Sequence, residues 1–322
     1  MSAIRWGILS TGNMARQFAE DFQYSRGGVL SAVCSRRQND AEGFAREFGL
    51  EHAYSSLEDM LRGGQLDLLY IASPHSHHFD AAMTALKAGV PVLCEKPMTT
   101  TLQATEALYE AADKAGVFLM EALWTRFNPA IIEMLEWIRE GRIGEVKTVH
   151  ANFGFAVNVE PDHRLLNPAL GGGALLDVGI YPLFLAQLVL GEVASMDSRV
   201  EIGETGVDVH EDIWLEHAGG GTSSLTASID RFLPNNAIIS GTRGYIEIPG
   251  HWFAAKSLRY CLEGKEPEWA SFDFAGAGWH LEATHVNECL SEGRTHSPLY
   301  TPQDSIRLAR TMNLLLDQWK TE

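Results

Sequence analysis

Apolar residues in the first part of the chain fall into short blocks separated by amphipathic stretches. Residues 4–9, 29–34, 66–71 and 92–94 are such blocks, each running into small or polar residues, and they predict buried strands. The stretches between them have helical spacing. Met14, Phe18 and Phe22 recur at every fourth position with Ala15 and Ala19 beside them, and Ala41, Phe44, Ala45 and Phe48 share a face. Ser55 with Glu58 makes a capping-box pattern ahead of Leu57, Met60 and Leu61. Phe79, Ala82, Met83 and Leu86 mark a further helix closed by Gly89, and residues 102–114 another closed by Gly116, before a last strand at 117–121. Strands alternating with helices of about a dozen residues predict a doubly wound parallel sheet, a Rossmann-type α/β domain over residues 1–122.

From residue 123 the texture changes. One helix (Ile131, Ile132, Leu135, Ile138) ends near Gly141, and from Val146 the period becomes two, so that Val149, Ala151, Phe153 and Phe155 share a face. Similar runs recur at 195–202, 212–216, 224–229, 237–240, 245–248 and 258–262, mostly punctuated by Gly, Asn or Pro. Successive strands without intervening helices predict a large, mostly antiparallel open sheet in an α+β domain over residues 123–322. The uncovered face of such a sheet suits dimerisation. One helical segment interrupts the strands, from Gly171 to Pro182. On a helix its Asp177 and Tyr181 lie on one face, with a kink expected at Pro182. The chain closes with an amphipathic helix carrying Ile306, Leu308, Ala309, Met312, Leu315 and Leu316.

Composition narrows the function class. With 322 residues and 45% hydrophobic content the chain has room for two domains with cores. A net charge of −17 argues against a nucleic-acid face, so an anionic ligand must be held by local Arg, Lys and backbone N–H groups. The four cysteines (Cys34, Cys94, Cys261, Cys289) lack CxxC spacing and read as buried free thiols in a reducing compartment. The start of the chain has no basic and apolar leader, and no apolar run approaches ~18 residues. No membrane span is expected, and the expected location is the cytoplasm.

The candidate chemistry lies at strand ends. In Val92-Leu93-Cys94-Glu95-Lys96-Pro97, a buried strand delivers a lysine where ligands of parallel sheets bind, and Pro97 keeps Lys96 out of the helical region. Taken alone, Glu95 with Lys96 is equally a surface salt bridge. The turn after the first strand, Ser10-Thr11-Gly12-Asn13-Met14-Ala15, is a degraded G-x-G-x-x-G/A fingerprint with Ser10 in the first glycine position. It leads into a helix N-terminus that favours a pyrophosphate. The second strand ends in Ser35-Arg36-Arg37, where an NAD enzyme carries an acid for the ribose 2′-OH, and this favours NADP, with NAD still possible. A solvated arginine pair is the plain alternative. Ser73, Pro74, His75 and His78 follow the next strand at its ligand-binding edge. The spacing of His75, His77 and His78 does not suit a metal, and none is expected. Asp177 and Tyr181 by themselves read as a helix-start acid and a core tyrosine.

Together these residues resemble the glucose–fructose oxidoreductase / inositol dehydrogenase family (Gfo/Idh/MocA). Glu95-Lys96-Pro97 matches its catalytic strand-end motif and Asp177-x-Gly179-x-Tyr181 its helical motif. The stretches 120–127, 172–177, 204–208 and 240–242 resemble the branch that holds dimeric dihydrodiol dehydrogenase and NADP-dependent D-xylose dehydrogenase. The resemblance covers the whole chain. It implies an NAD(P)-dependent dehydrogenase acting on the CH–OH group of a sugar or cyclic trans-diol, and a homodimer through the second-domain sheet. By that resemblance Lys96 binds the reacting oxygen, Tyr181 exchanges its proton and Asp177 orients substrate. His75, His78 and Glu95 belong with the coenzyme, Trp124 and Arg126 line its nicotinamide end, and Phe153, Trp252 and Phe274 join the substrate wall. Tyrosine at position 181 argues against inositol dehydrogenase chemistry. Two other readings remain open: a redox-neutral oxidoreductase with tightly bound nucleotide, and a nonenzymatic NADP-binding regulator.

Overall fold

A parallel sheet covered by helices needs strands buried on both faces, and the first part of the chain supplies them. In a computed structural model that describes residues 3–320, β1 (Ile4–Leu9), β2 (Gly28–Cys34), β3 (His52–Tyr54), β4 (Leu68–Ile71), β5 (Val92–Glu95) and β6 (Leu119–Ala122) form one sheet. Their order is β3-β2-β1-β4-β5-β6, with parallel pairing throughout. The connecting helices are α1 (Asn13–Phe22), α2 (Gln38–Phe48), α3 (Leu57–Arg62), α4 (His78–Lys87) and α5 (Leu102–Ala115). Every residue of β4, β5 and β6 is buried, and Leu69, Ile71, Val92 and Cys94 pack with Ala82, Leu86 and Leu108. Strand order reverses between β1 and β4, the switch point beside which such sheets bind ligands. β3 escaped prediction because three residues carry no readable period. The cap of α3 is Ser56, whose side chain accepts the Asp59 N–H, and not Ser55, so the expected capping box is displaced by one residue.

The second sheet is built from β7 (Val146–Gly154), β8 (Val193–Ile202), β9 (Asp208–His217), β10 (Thr222–Ser228), β11 (Ala237–Gly241), β12 (Gly244–Ile248), β13 (Ser257–Leu262) and β14 (Glu268–Ser271). The order is β14-β13-β12-β11-β7-β10-β9-β8, antiparallel except where β7 meets β10. Two helices, α6 (Pro129–Arg139) and α7 (Ile180–Leu190), belong to this part, and α7 packs on β7 and β10. The strand registers align Trp214, Ser224, His150, Ile238, Glu247, Arg259 and Trp269 in one row across the sheet, with Trp214 and Trp269 exposed. The opposite face carries Val149, Leu225, Ile239, Ile246 and Leu258 into the core.

The chain divides into two compact units, but not at a single point. The first unit runs to Trp124 and takes back Ala275–Ala309; the second comprises Thr125–Phe274 and the chain from Arg310. A division into 1–122 and 123–322 therefore misses α8 (Trp279–Ser291) and the first half of α9 (Pro302–Trp319). The return is held by polar contacts. Asp21 accepts the N–H groups of Ala277, Gly278 and His280 at 2.7–3.1 Å and pairs with His280 Nδ1, while the Trp6 indole donates to Asn287 at 2.8 Å.

All four cysteines are buried and free. The expectation that no apolar stretch reaches spanning length does not hold. Residues Pro168–Leu190 form a helical segment long and apolar enough, by length and composition, to cross a membrane. Glycines and Asp177 interrupt it, which hid it from a search for unbroken runs. Most of its apolar window is buried inside the protein, as in the core helix of a globular fold.

Candidate active site

In the first unit, the β1–α1 turn has the form of an anion cradle. Ser10 takes φ +122°, a backbone region that favours glycine, and its Oγ accepts the Gly12 N–H at 3.0 Å. α1 begins with Gly12 as N-cap, no side chain caps its N-terminus, and no acid occupies its first turn. Asn13 and Met14 open the helix. Thr11 Oγ1 donates to Ser35 Oγ at 3.4 Å, which ties this turn to the end of β2. Arg36 and Arg37 are exposed there, and Arg37 is engaged by Asp40 at 2.6 Å. At the end of β4, Ser73 Oγ is buried with no hydrogen-bond partner among the described residues. Uncapped helix N–H groups, an orphaned hydroxyl and an exposed arginine fit the phosphates and hydroxyls of a dinucleotide.

Lys96 follows β5, and the turn Lys96-Pro97-Met98 contains a cis peptide bond between Lys96 and Pro97. Buried polar groups pin this turn from several sides. Glu95 accepts the Tyr70 hydroxyl at 2.6 Å and the Lys96 N–H at 3.2 Å. His78, fully buried, places Nδ1 at 2.9 Å from Pro97 O and Nε2 at 2.8 Å from Ser73 O. Burial pushes its pKa down, against the pull of the two carbonyls. His78 thus sits between the β4 and β5 loops with each ring nitrogen facing a carbonyl, and its tautomer decides which of the two accepts its N–H. His75 is buried in the short helical turn after Pro74.

Glu121 was not foreseen. Its carboxylate accepts the Met98 N–H at 2.6 Å, the Tyr300 hydroxyl at 3.0 Å and the Ser305 hydroxyl at 2.5 Å. Burial raises its pKa, and these hydrogen bonds and Lys96 oppose the rise. An acid inside the apolar run 119–122 was the available signal. Trp124, buried, packs against Trp279 with ring centroids 5.1 Å apart.

The second unit holds Asp177 and Tyr181. Leu175–Gly179 is a π turn leading directly into α7, so the segment is wider than the α-helix expected and the distortion precedes Pro182. Such turns recur at functional sites. The segment starts against β9, where Leu175 N–H donates to Asp208 at 2.6 Å. Asp177 and Tyr181 are both buried, and Arg164, also unforeseen, donates to Asp177 at 3.0 Å. Tyr181 meets Phe153 edge-on at 5.4 Å, and Phe153 stacks on Phe253 at 3.9 Å. Trp252 is fully buried and its indole donates to Asn152 O at 2.9 Å, so it lines no open wall; its neighbour Phe253 has the place beside Tyr181. Phe274 is half-buried with Lys256 over its ring at 4.9 Å. Arg126 is half-buried, and Thr125 beside it donates to Phe253 O at 2.9 Å. Among the described residues no group of three or more His, Cys, Asp or Glu is arranged to hold a metal.

These features agree with what the chain is similar to. Residues 4–123 match the family described as "Oxidoreductase family, NAD-binding Rossmann fold", and residues 131–247 match the GFO/IDH/MocA C-terminal domain. Trans-1,2-dihydrobenzene-1,2-diol dehydrogenase of Mus musculus is 35% identical over 96% of this chain and 95% of its own length. The enzyme of the same name from Xenopus laevis is 35% identical over 98% of both chains. Among solved structures, an aldose-aldose oxidoreductase from Caulobacter crescentus complexed with glycerol aligns with TM-score 0.89 and 25% identity over 98% of this chain and 97% of its own. A 3-ketoreductase from Actinomadura kijaniata in complex with NADP and TDP-benzene aligns with TM-score 0.86 and 25% identity over 97% and 96%. With both halves matched and its relatives covered end to end, the chain belongs to the Gfo/Idh/MocA family of oxidoreductases.

Proposed function

We propose that this protein is an NADP-dependent dehydrogenase that moves a hydride between the nicotinamide and a carbinol carbon of a sugar or cyclic trans-diol. The observation that carries the reading is the pinned Lys96 turn at the carboxyl edge of the parallel sheet, in a chain similar along its length to diol dehydrogenases. When bound, the nucleotide supplies the hydride acceptor or donor. The residues that would hold it are Ser10–Met14 at the helix N-terminus, Ser35 and Arg36 toward the ribose, and Ser73 at the β4 edge. Arg36 is the discriminating arginine, because Arg37 is already engaged with Asp40. Lys96 gives the reacting oxygen a cation that stabilises developing alkoxide charge. Tyr181 exchanges the proton. A tyrosine is a poor base at neutral pH with its ordinary pKa of about 10, and an ammonium acting at the same oxygen favours the phenolate. Asp177, held by Arg164, orients substrate hydroxyls, and Phe153 with Phe253 gives an apolar flank for a ring. The exposed row on the second sheet pairs with a second copy to make a homodimer. The buried free thiols suit a cytoplasmic setting.

The test is initial rate with NADP⁺ and NAD⁺ over aldoses, polyols and cyclic diols, for the wild type, Lys96→Ala, Tyr181→Phe and Arg36→Ala. Tyr181→Phe is expected to lower kcat by ~10²–10⁴-fold, the usual contribution of a positioned proton-transfer group. Arg36→Ala is expected to raise KM for NADP⁺ roughly tenfold or more and leave NAD⁺ little changed, as loss of a charge-assisted hydrogen bond implies. No turnover on any substrate, with NADPH still binding tightly, would sink the dehydrogenase. The likeness to an aldose-aldose oxidoreductase supports a second reading, hydride exchange between two sugars on one retained nucleotide. Nucleotide that survives dialysis and is reduced by one aldose and reoxidised by another would favour it.

A further inference from the structure

β9 reaches the Asp177–Tyr181 segment twice. Asp208 receives the Leu175 N–H at the start of the segment, and Glu211, three residues on, is fully buried against its middle. Neither carboxyl oxygen of Glu211 has a hydrogen-bond partner among the described residues. A Cβ on Gly179 would lie 2.5 Å from Glu211 Oε1, with Leu175 Cδ1 at 3.2 Å and Ala227 Cβ at 3.4 Å. Gly179 itself has φ −64°, an ordinary helical value that any residue adopts. Its missing side chain is therefore explained by the carboxyl packed on it and not by backbone conformation. Gly179 closes the π turn and separates Asp177 from Tyr181.

We propose that Glu211 is a positioning residue for the oxidoreduction: its carboxyl, seated on Gly179, fixes the π turn that aims Asp177 and Tyr181. Burial, and then the nearby Asp208 and Asp212, push that carboxyl's pKa well above the usual carboxylate range, and its fit against Gly179 is one of shape. A turn relaxed to α spacing has a different angular offset between Asp177 and Tyr181. The inference rests on the reading that Tyr181 handles the proton.

The experiment measures kcat, KM for NADP⁺ and Tm for Glu211→Gln, Glu211→Ala, Gly179→Ala and the double variant Glu211→Ala/Gly179→Ala, with Tyr181→Phe alongside. Glu211→Gln keeps the shape and is expected to retain kcat within about twofold, whereas Glu211→Ala and Gly179→Ala each lose tenfold to about a hundredfold, the scale of a small misplacement of reacting groups. KM for NADP⁺ stays unchanged in all of them. In the double variant the new methyl fills vacated space, so kcat recovers relative to Gly179→Ala. A purely structural role would lower Tm and leave the kcat of the folded enzyme intact. Wild-type kcat in Glu211→Ala, or Gly179→Ala doing equal damage with and without Glu211, overturns the proposal. Should Glu211→Ala not fold, Gly179→Ala decides alone, and full kcat there overturns it. Full activity in Tyr181→Phe overturns the functional reading and this role together. Loss in Tyr181→Phe with wild-type kcat in Glu211→Ala overturns this role only.

Discussion

Ser10 shows how a single residue can keep a fold and strain it. Its φ of +122° is where the dinucleotide fingerprint carries glycine, and the chain accepts the strain while the hydroxyl caps the Gly12 N–H. Such a conformation costs about 1–3 kcal/mol, and the lost hydrogen bond and the extra freedom of glycine offset part of its release. Ser10→Gly is therefore expected to stabilise the protein by about 1 kcal/mol, a rise in Tm of roughly 2–4 °C by calorimetry. A fall in Tm would mean that the hydroxyl matters more than the strain. What was legible at this scale was local. Lys96 announced itself because a strand, a charge and a proline are adjacent in sequence. Glu121 did not, because its partners Tyr300 and Ser305 lie 179 and 184 positions away, in a part of the chain with no apparent link to the first sheet. Trp252 and Phe253 are neighbours in a single 3-10 turn, too short for any period to tell which ring turns inward.

Elements with several turns or a clear alternation were readable; short or shifted ones were not. β1, β2, β5 and α5 lie where their apolar spacing places them. β9 begins at Asp208, four residues before its apolar alternation becomes visible, and those residues hold both acids that grip the Asp177–Tyr181 segment. The π turn was unreadable for a different reason. It coincides with tertiary contacts at Asp208 and Gly179, which no local propensity encodes. The second sheet gives the prediction at this scale. A row containing exposed Trp214 and Trp269 is held partly by the Arg259–Glu247 pair at 2.6 Å, with the Arg259 guanidinium 5.1 Å over Trp269. If that face pairs with a second copy, Trp214→Glu places a charge in the interface and converts a dimer to a monomer by sedimentation. A variant that still sediments with the wild type removes this face from the assembly.

For the whole molecule, pH is the informative variable. Glu282, Glu211, Glu121 and Asp208 all have pKa values raised by burial. A carboxyl whose folded-state pKa is raised binds more protons in the native than in the unfolded state. Its stabilising effect is complete below the ordinary carboxylate pKa and is lost as pH rises through the raised value. Stability should decline from mildly acidic pH upward, and the net charge of −17 adds self-repulsion in the same direction. Salt screens the repulsion but hardly reaches buried groups. Glu282→Gln, measured in high salt, is expected to flatten the fall of Tm with pH and raise Tm on the alkaline side by about 2–4 °C for each kcal/mol regained. An unchanged slope would show that these acids are not what the folded state is titrating against.

The split first unit also sets a timetable for synthesis. Trp6 is translated 281 residues ahead of its partner Asn287, and Asp21 at least 256 ahead of the Ala277–His280 turn that satisfies it. Every strand of the second sheet is translated in between. A nascent nucleotide domain must therefore wait, with an indole and a carboxylate still lacking their partners, for a segment translated more than 250 residues after Asp21. Chaperones have most to protect in that interval, and a ribosome stalled before residue 275 would present an incomplete domain to the proteases of the cell.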